Sequence, residues 1–105
     1  MIIAVDIGGT QVRVALLDTK LNILIKKSFP TGIDSLPEPS CDVLIKETEN
    51  LQSSFNDSAF KSVGISTPSF NRLTGKMVNP PNLPYWDDFS LLEFFETRLN
   101  LPIVV

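Results

Sequence analysis

Apolar positions along this chain fall either in unbroken runs or in steps of three and four, and the two patterns separate strands from helices. Residues 2–7, Ile2-Ile3-Ala4-Val5-Asp6-Ile7, are aliphatic except for one carboxylate, as expected of a central strand covered on both faces. Gly8-Gly9 reads as a tight turn, and residues 12–17 return as a second strand, apolar except for Arg13. Arg13 is read as an exposed arginine at the strand end. The turn formers Asp18-Thr19-Lys20-Leu21-Asn22 then lead into a third strand over 23–29, with Lys26 and Lys27 towards its outer end.

Residues 30–39 hold Pro30, Pro37 and Pro39 and predict a surface loop. Ser40 follows as a candidate helix N-cap. From Cys41 the apolar steps Leu44, Ile45, Thr48, Leu51 and Phe55 predict an amphipathic helix of about four turns packed on the sheet. Asp42, Lys46, Glu47, Glu49 and Asn50 are left for its wet face, and Asn56-Asp57-Ser58 is read as its end. Residues 62–67 predict a short buried strand in which Gly64 permits close backbone approach, and Pro68 stops it. Thr74-Gly75 turns a small hairpin, and Pro80, Pro81 and Pro84 hold the chain extended. Ser90-Leu91-Leu92-Glu93 is a capping box, with Phe89 and Phe94 placed as its hydrophobic staple. The helix it opens runs to about Leu99, Asn100 terminates it, and Leu101-Pro102-Ile103-Val104-Val105 begins a last strand.

Three β-branched residues end the sequence with no turn, cap or charged tail, so it is expected to be the amino-terminal piece of a longer protein. The other reading is a small, complete, free-standing interaction module. In either case the bare terminal strand is expected to drive self-association.

Composition narrows the classes. With 105 residues there is room for one compact domain, and 43% hydrophobic with 20% charged residues is the mixture of a globular chain. A net charge of −3 leaves no electrostatic footprint for nucleic acid or an anionic membrane, so any phosphate binding must be local. Cys41 is the only cysteine and there is no histidine, which excludes a disulfide framework and a zinc site built from this chain. No apolar run is long enough to span a bilayer and no secretory leader follows Met1, so a cytoplasmic location is expected.

The candidate chemistry lies in the first turn. A carboxylate such as Asp6 inside an apolar strand is costly unless something pairs with it. Gly8, Gly9 and Thr10 offer successive N–H groups that can form an anion-binding concavity, and Asp6 beside them can hold a divalent cation, directly or through water. Equally, Asp6 can cap the turn and the glycines can simply close a hairpin.

Asp6-Ile7-Gly8-Gly9-Thr10 near the start of a chain resembles the first phosphate motif of sugar kinases in the actin-like ATPase superfamily. Val63-Gly64-Ile65-Ser66-Thr67-Pro68 and Gly75-Lys76-Met77-Val78-Asn79-Pro80-Pro81-Asn82-Leu83-Pro84, with Trp86 and Phe89, resemble the amino-terminal half of the ROK (repressor, open reading frame, kinase) family. The resemblance runs collinearly over residues 1–105. It implies a ribonuclease H-like (actin-like ATPase) α/β fold with a mixed sheet, three antiparallel strands followed by alternating helices and parallel strands. It also implies that the chain is the first subdomain of a two-domain, glucokinase-like enzyme phosphorylating a hexose or amino sugar.

By that resemblance, Asp6, Gly8, Gly9, Thr10 and Gln11 face the β- and γ-phosphates of ATP, with Asp6 near magnesium. Gln11 stands where the family usually has lysine. Ser69 stands where it usually has glycine beside the sugar, and Phe70-Asn71-Arg72 departs from a Gly-Pro-Val-Asp-like continuation. Asn79 borders the sugar pocket in the family pattern, and its amide suits a polyol; a capping asparagine in a proline-rich turn is the alternative. The family's catalytic aspartate, a general base on the sugar hydroxyl, is expected beyond Val105, so the chain alone is expected to be inactive. The zinc motif and adenine-binding half are expected further on. Family repressors carry a helix-turn-helix before the first strand, and its absence before Met1 favours a kinase. A non-catalytic sugar-sensing member is the other class that Gln11 and Ser69 leave open.

Overall fold

The computed structural model describes residues 1–31, 35–55 and 60–105. In chain order the strands are β1 (Ile2–Ile7), β2 (Gln11–Leu17) and β3 (Ile23–Pro30), then helix α1 (Pro37–Ser54) and strand β4 (Ser62–Ser66). The short strands β5 (Phe70–Asn71) and β6 (Lys76–Met77), a 3-10 turn (Pro84–Trp86), helix α2 (Leu91–Glu96) and strand β7 (Ile103–Val104) complete the chain. Five strands form one sheet in the order β3-β2-β1-β4-β7, while β5 and β6 pair as a separate ribbon. β1, β2 and β3 run antiparallel in succession; β4 lies parallel to β1, and β7 parallel to β4. The mixed sheet and the order of its elements are those expected from the sequence.

Alternation in the strands decides which face is buried. Ile3, Val5 and Ile7 on β1, Val12, Val14 and Leu16 on β2, and Val63 and Ile65 on β4 are all buried. Beneath α1 they meet Cys41, Leu44, Ile45, Thr48 and Leu51. Each large side chain so buried contributes roughly 1.5–3 kcal/mol. Thr48 is tolerated on this face because its hydroxyl donates to the Leu44 carbonyl at 2.9 Å. Lys27 and Glu47 form an ion pair at 2.9 Å that ties β3 to the helix. The opposite face is only partly covered: Ile2, Ala4, Ala15, Leu17 and Gly64 are all half-buried. β1 is therefore fully covered on one face, not two.

Helix α1 starts earlier than its apolar steps suggest. Pro37 occupies the first turn, where its missing N–H would have had no partner anyway, and Leu36, not Ser40, is the N-cap residue, without a side-chain bond. The expected helix end at Asn56-Asp57-Ser58 lies outside the described residues. Gly64 also differs from expectation, since a Cβ there would meet nothing within 4 Å.

The same core continues to Trp86, which is fully buried with Leu83, Leu91 and Phe95. Its indole N–H donates to the Ser35 carbonyl at 3.2 Å, joining the 3-10 turn to the entry of α1. The staple forms as expected, with the Phe89 and Phe94 rings 5.5 Å apart. The capping box does not: Ser90 makes no side-chain cap bond, and α2 stops at Glu96. Arg98 lies over the Phe94 ring at 3.6 Å and donates to the Phe94 carbonyl. Among the described residues no helix is long and apolar enough to cross a membrane.

Candidate functional site

Because β1, β4 and β7 are parallel, their carboxyl ends reach one edge of the sheet, where ligands bind in open α/β sheets. The Gly8–Gln11 turn follows β1, Thr67-Pro68-Ser69 follows β4, and Val105 follows β7. Asp6 and Ser66 are register partners across β1 and β4, so the turn and the end of β4 are immediate neighbours.

In the turn, the Gly8 N–H donates to the Gln11 carbonyl at 2.9 Å and closes the hairpin. That corrects the expectation that all three N–H groups of Gly8-Gly9-Thr10 stand open. Among the described residues, nothing bonds the N–H groups of Gly9 and Thr10. The Thr10 carbonyl accepts from the Thr31 N–H at 2.9 Å, fixing the turn to the end of β3, and the Thr10 and Gln11 side chains are exposed. Neither Gly8 nor Gly9 uses the left-handed backbone region. Gly9 is required for another reason, because a Cβ on it would come within 2.7 Å of the Asn82 Cβ. The close approach to the main chain at Gly9 is thus made by the loop carrying Asn82.

Asp6 faces Arg13 directly across the β1–β2 ladder, and their side chains pair at 3.2 Å with 46% and 50% of each exposed. The carboxylate is neither isolated nor buried, and Arg13 is not free in solvent. A pair this exposed contributes at most about 1 kcal/mol, so the Asp6 oxygens are easily redirected. Among the described residues no group of three or more acidic, cysteine or histidine side chains could hold a metal.

Beside the turn opens a cleft of about 460 Å3 walled by Ile65, Ser66, Thr67, Ser69, Phe70, Arg72 and Val105. Ser69 is in the left-handed region at φ 55° and its carbonyl accepts from the Val78 N–H at 2.7 Å, so its side chain stands in the space a glycine would leave open. Asn79 lies outside this lining, and its own N–H donates to Asp87 at 2.7 Å. The residues that sequence reasoning passed over are Asn82, Arg72, Ser66 and Thr67. Asn82 could have been found from its place in the Pro-Pro-Asn-Leu-Pro segment; Arg72 carried no local signal beyond its charge.

The fold and this edge together define a ribonuclease H-like lobe of the actin-like ATPase type. The ROK family model matches residues 2–105, and the chain belongs to the ROK family. An N-acetylmannosamine kinase of Salmonella paratyphi B is 31% identical over 100 residues, which cover 95% of this chain and 33% of that relative. Among solved structures, a ROK family glucokinase from Streptomyces griseus in complex with glucose and AMPPNP superposes with a TM-score of 0.79 at 25% identity, covering 98% of this chain and 31% of that one. A ROK family protein from Streptococcus pneumoniae TIGR4 in complex with sucrose gives 0.67 at 26% identity, with 98% and 32% covered. The chain thus spans about a third of the length of these relatives.

Proposed function

We propose that this chain is the phosphate- and sugar-contacting first subdomain of a two-domain, cytoplasmic, ATP-dependent sugar kinase acting on a hexose or amino sugar. One observation carries the reading: the Gly8–Gln11 turn and the cleft beside Ser69 open at the same sheet edge, separated by the Asp6–Ser66 register pair. A phosphoryl donor on the turn and a hydroxyl in the cleft would then face one another, the arrangement that phosphoryl transfer needs. The relatives named as N-acetylmannosamine kinase and glucokinase, one of them holding AMPPNP and glucose, support the substrate classes.

In this reading the N–H groups of Gly9 and Thr10, the Thr10 hydroxyl and the Gln11 amide donate to the phosphate oxygens. Asp6 fits magnesium, which favours one or two carboxylates and takes its remaining ligands from phosphate and water. The metal, when bound, neutralises phosphate charge. Arg13 balances Asp6 while the cation is away. Ser69 borders the sugar, Asn79 is assigned to it on the family pattern alone since it lies outside the cleft lining, and Asn82 braces the turn. No aspartate, glutamate or histidine side chain lines the cleft among the described residues, in keeping with a general base supplied from beyond Val105. In this reading the chain alone does not catalyse transfer.

The test is NMR titration of the labelled chain with magnesium and AMPPNP. The amides of Gly9, Thr10 and Gln11 should move first, and Thr10→Val should weaken the response. Absence of any shift there would remove the phosphate role, and sugar phosphorylation by the purified chain above a no-enzyme control would overturn the placement of the base beyond Val105.

A further inference from the structure

A second element reaches the Gly8–Gln11 turn, the proline-rich loop between β6 and the 3-10 turn, and Asn82 is its point of contact. A Cβ placed on Gly9 would lie 2.7 Å from the Asn82 Cβ, 3.5 Å from its carbonyl oxygen and 3.7 Å from its Cγ. Cγ carries the carboxamide, so that group stands beside the main chain of the turn. Asn82 is exposed, and among the described residues nothing bonds its carboxamide. The Gly9 and Thr10 N–H groups next to it are open in the same way.

Packing holds Asn82 in this place. Leu83, the next residue, is fully buried, as is Trp86, whose backbone N–H donates to the Leu83 carbonyl at 3.0 Å. Asn82 itself takes the left-handed backbone at φ 59°, which asparagine tolerates better than most residues and glycine better still. Glycine would serve that backbone and would also remove the crowding against Gly9, so a side chain here needs another reason.

The charge of the turn supplies one. Its own side chains, Thr10 and Gln11, are neutral, and Arg13 is paired with Asp6 at 3.2 Å. A phosphate held there depends on neutral donors, each forming a charge-assisted bond to it. A carboxamide carries two N–H donors on one nitrogen and can turn them towards an anion. We infer that the Asn82 side-chain amide donates to the phosphate held by the Gly8–Gln11 turn, as a phosphate-binding residue supplied by the proline-rich loop. This rests on the reading of that turn as the phosphate site.

The experiment is NMR of the isotope-labelled 105-residue chain, in which the Asn82 side-chain amide gives its own pair of signals. The chain is titrated with inorganic pyrophosphate without metal and, separately, with magnesium and AMPPNP. Both probes should move the Asn82 pair together with the Gly9 and Thr10 amides. Asn82→Gly, which suits the backbone, should keep the fold and raise the pyrophosphate concentration needed by about tenfold, the loss of one bond to a charged group. Asn82→Asp keeps Cβ and Cγ in place but turns the donor into an anion, and should lose at least as much. An Asn82→Asp chain that takes pyrophosphate as well as the wild type reduces Asn82 to a brace and overturns the inference. So do Gly9 and Thr10 amides that move while the Asn82 pair stays still, an outcome that leaves the phosphate role of the turn standing. A response of the pair to AMPPNP but not to pyrophosphate puts the contact on another part of the nucleotide and overturns it too. If neither probe moves Gly9 and Thr10, the phosphate reading of the turn is lost and the inference with it.

Discussion

Gly9 and Asn82 meet across the mouth of the site, so closely that a methyl group on Gly9 would lie 2.7 Å from the Asn82 Cβ. The contact couples the phosphate turn to the proline-rich loop, and the strain sits on the loop side, where Asn82 adopts φ 59°. Gly9→Ala should therefore destabilise the chain by about 1–3 kcal/mol, the usual cost of overpacking. Asn82→Gly removes the opposing Cβ and suits the left-handed backbone, so alone it should be close to neutral. Combined with Gly9→Ala it should recover most of the loss. Urea unfolding of the two single variants and the pair measures this coupling, and strict additivity would show that the contact is not what excludes a side chain at Gly9.

The Asp6–Arg13 pair gives the second prediction. With about half of each side chain exposed, its removal by Arg13→Gln should change stability by less than about 1 kcal/mol, and added salt should reduce even that. Asp6→Asn should leave the melting temperature similarly unmoved but abolish the magnesium dependence of nucleotide binding. Calorimetric titration with AMPPNP, with and without magnesium, checks it. An Asp6→Asn chain that still responds to the metal would assign Asp6 a purely structural part.

Much of the architecture was legible because hydrophobic period and burial agree. The aliphatic runs of β1, β2 and β4 and the Leu44, Ile45, Thr48, Leu51 stripe each admit one element type, although the β1 run suggests cover on both faces and is fully buried on one. The start of α1 was not, since prolines read as loop when they stand alone, yet Pro37 fits a first helical turn. The site was legible only in part. Asp6, Gly9, Thr10 and Ser69 all reach the sheet edge, but non-glycine residues at Ser69, Asn79, Asn82 and Asp88 take positive φ, which no turn rule assigns to this run. Those four bends decide that Asn82 meets the turn while the Asn79 N–H is turned to Asp87. Pairing of Asp6 with Arg13 depends on hairpin register, which the sequence of the turn alone does not state.

Cys41 supplies a pH dependence. Burial pushes its thiol well above the ordinary value of 9.0, and the nearby Asp42 and Glu38 charges add to that. The folded chain keeps a proton that the unfolded chain releases, so this contribution is full below about pH 9 and is lost as pH rises beyond it, by up to about 1.4 kcal/mol per unit. Cys41→Ala should lower stability at pH 8 through the cavity it leaves, yet show a shallower decline between pH 9 and 10.5. Parallel declines for the two proteins would mean that the thiol ionises without unfolding.

The two edges of the sheet are treated differently, and the last prediction follows from that. On β3 the edge carries Lys26 and Lys27, a common guard against strand addition, whereas the β7 edge offers Ile103 and Val104 with no charge. Val104 is 64% exposed and shares a sheet row with Gly64, Ala4 and Ala15, whose small side chains leave the half-covered face flat. At roughly 25 cal/mol per Å2, burying a few hundred Å2 of such surface is worth several kcal/mol, enough to offset part of the cost of association. The 105-residue chain should accordingly self-associate through β7 and the neighbouring face. Val104→Lys places a charge on both the edge and the flat row, and should leave a monomer with an unchanged far-ultraviolet spectrum. Sedimentation velocity across a hundredfold concentration range separates the outcomes. A wild-type chain that stays monomeric throughout would show that the β7 edge is already adequately protected, and self-association would then be withdrawn from the proposed behaviour of this chain.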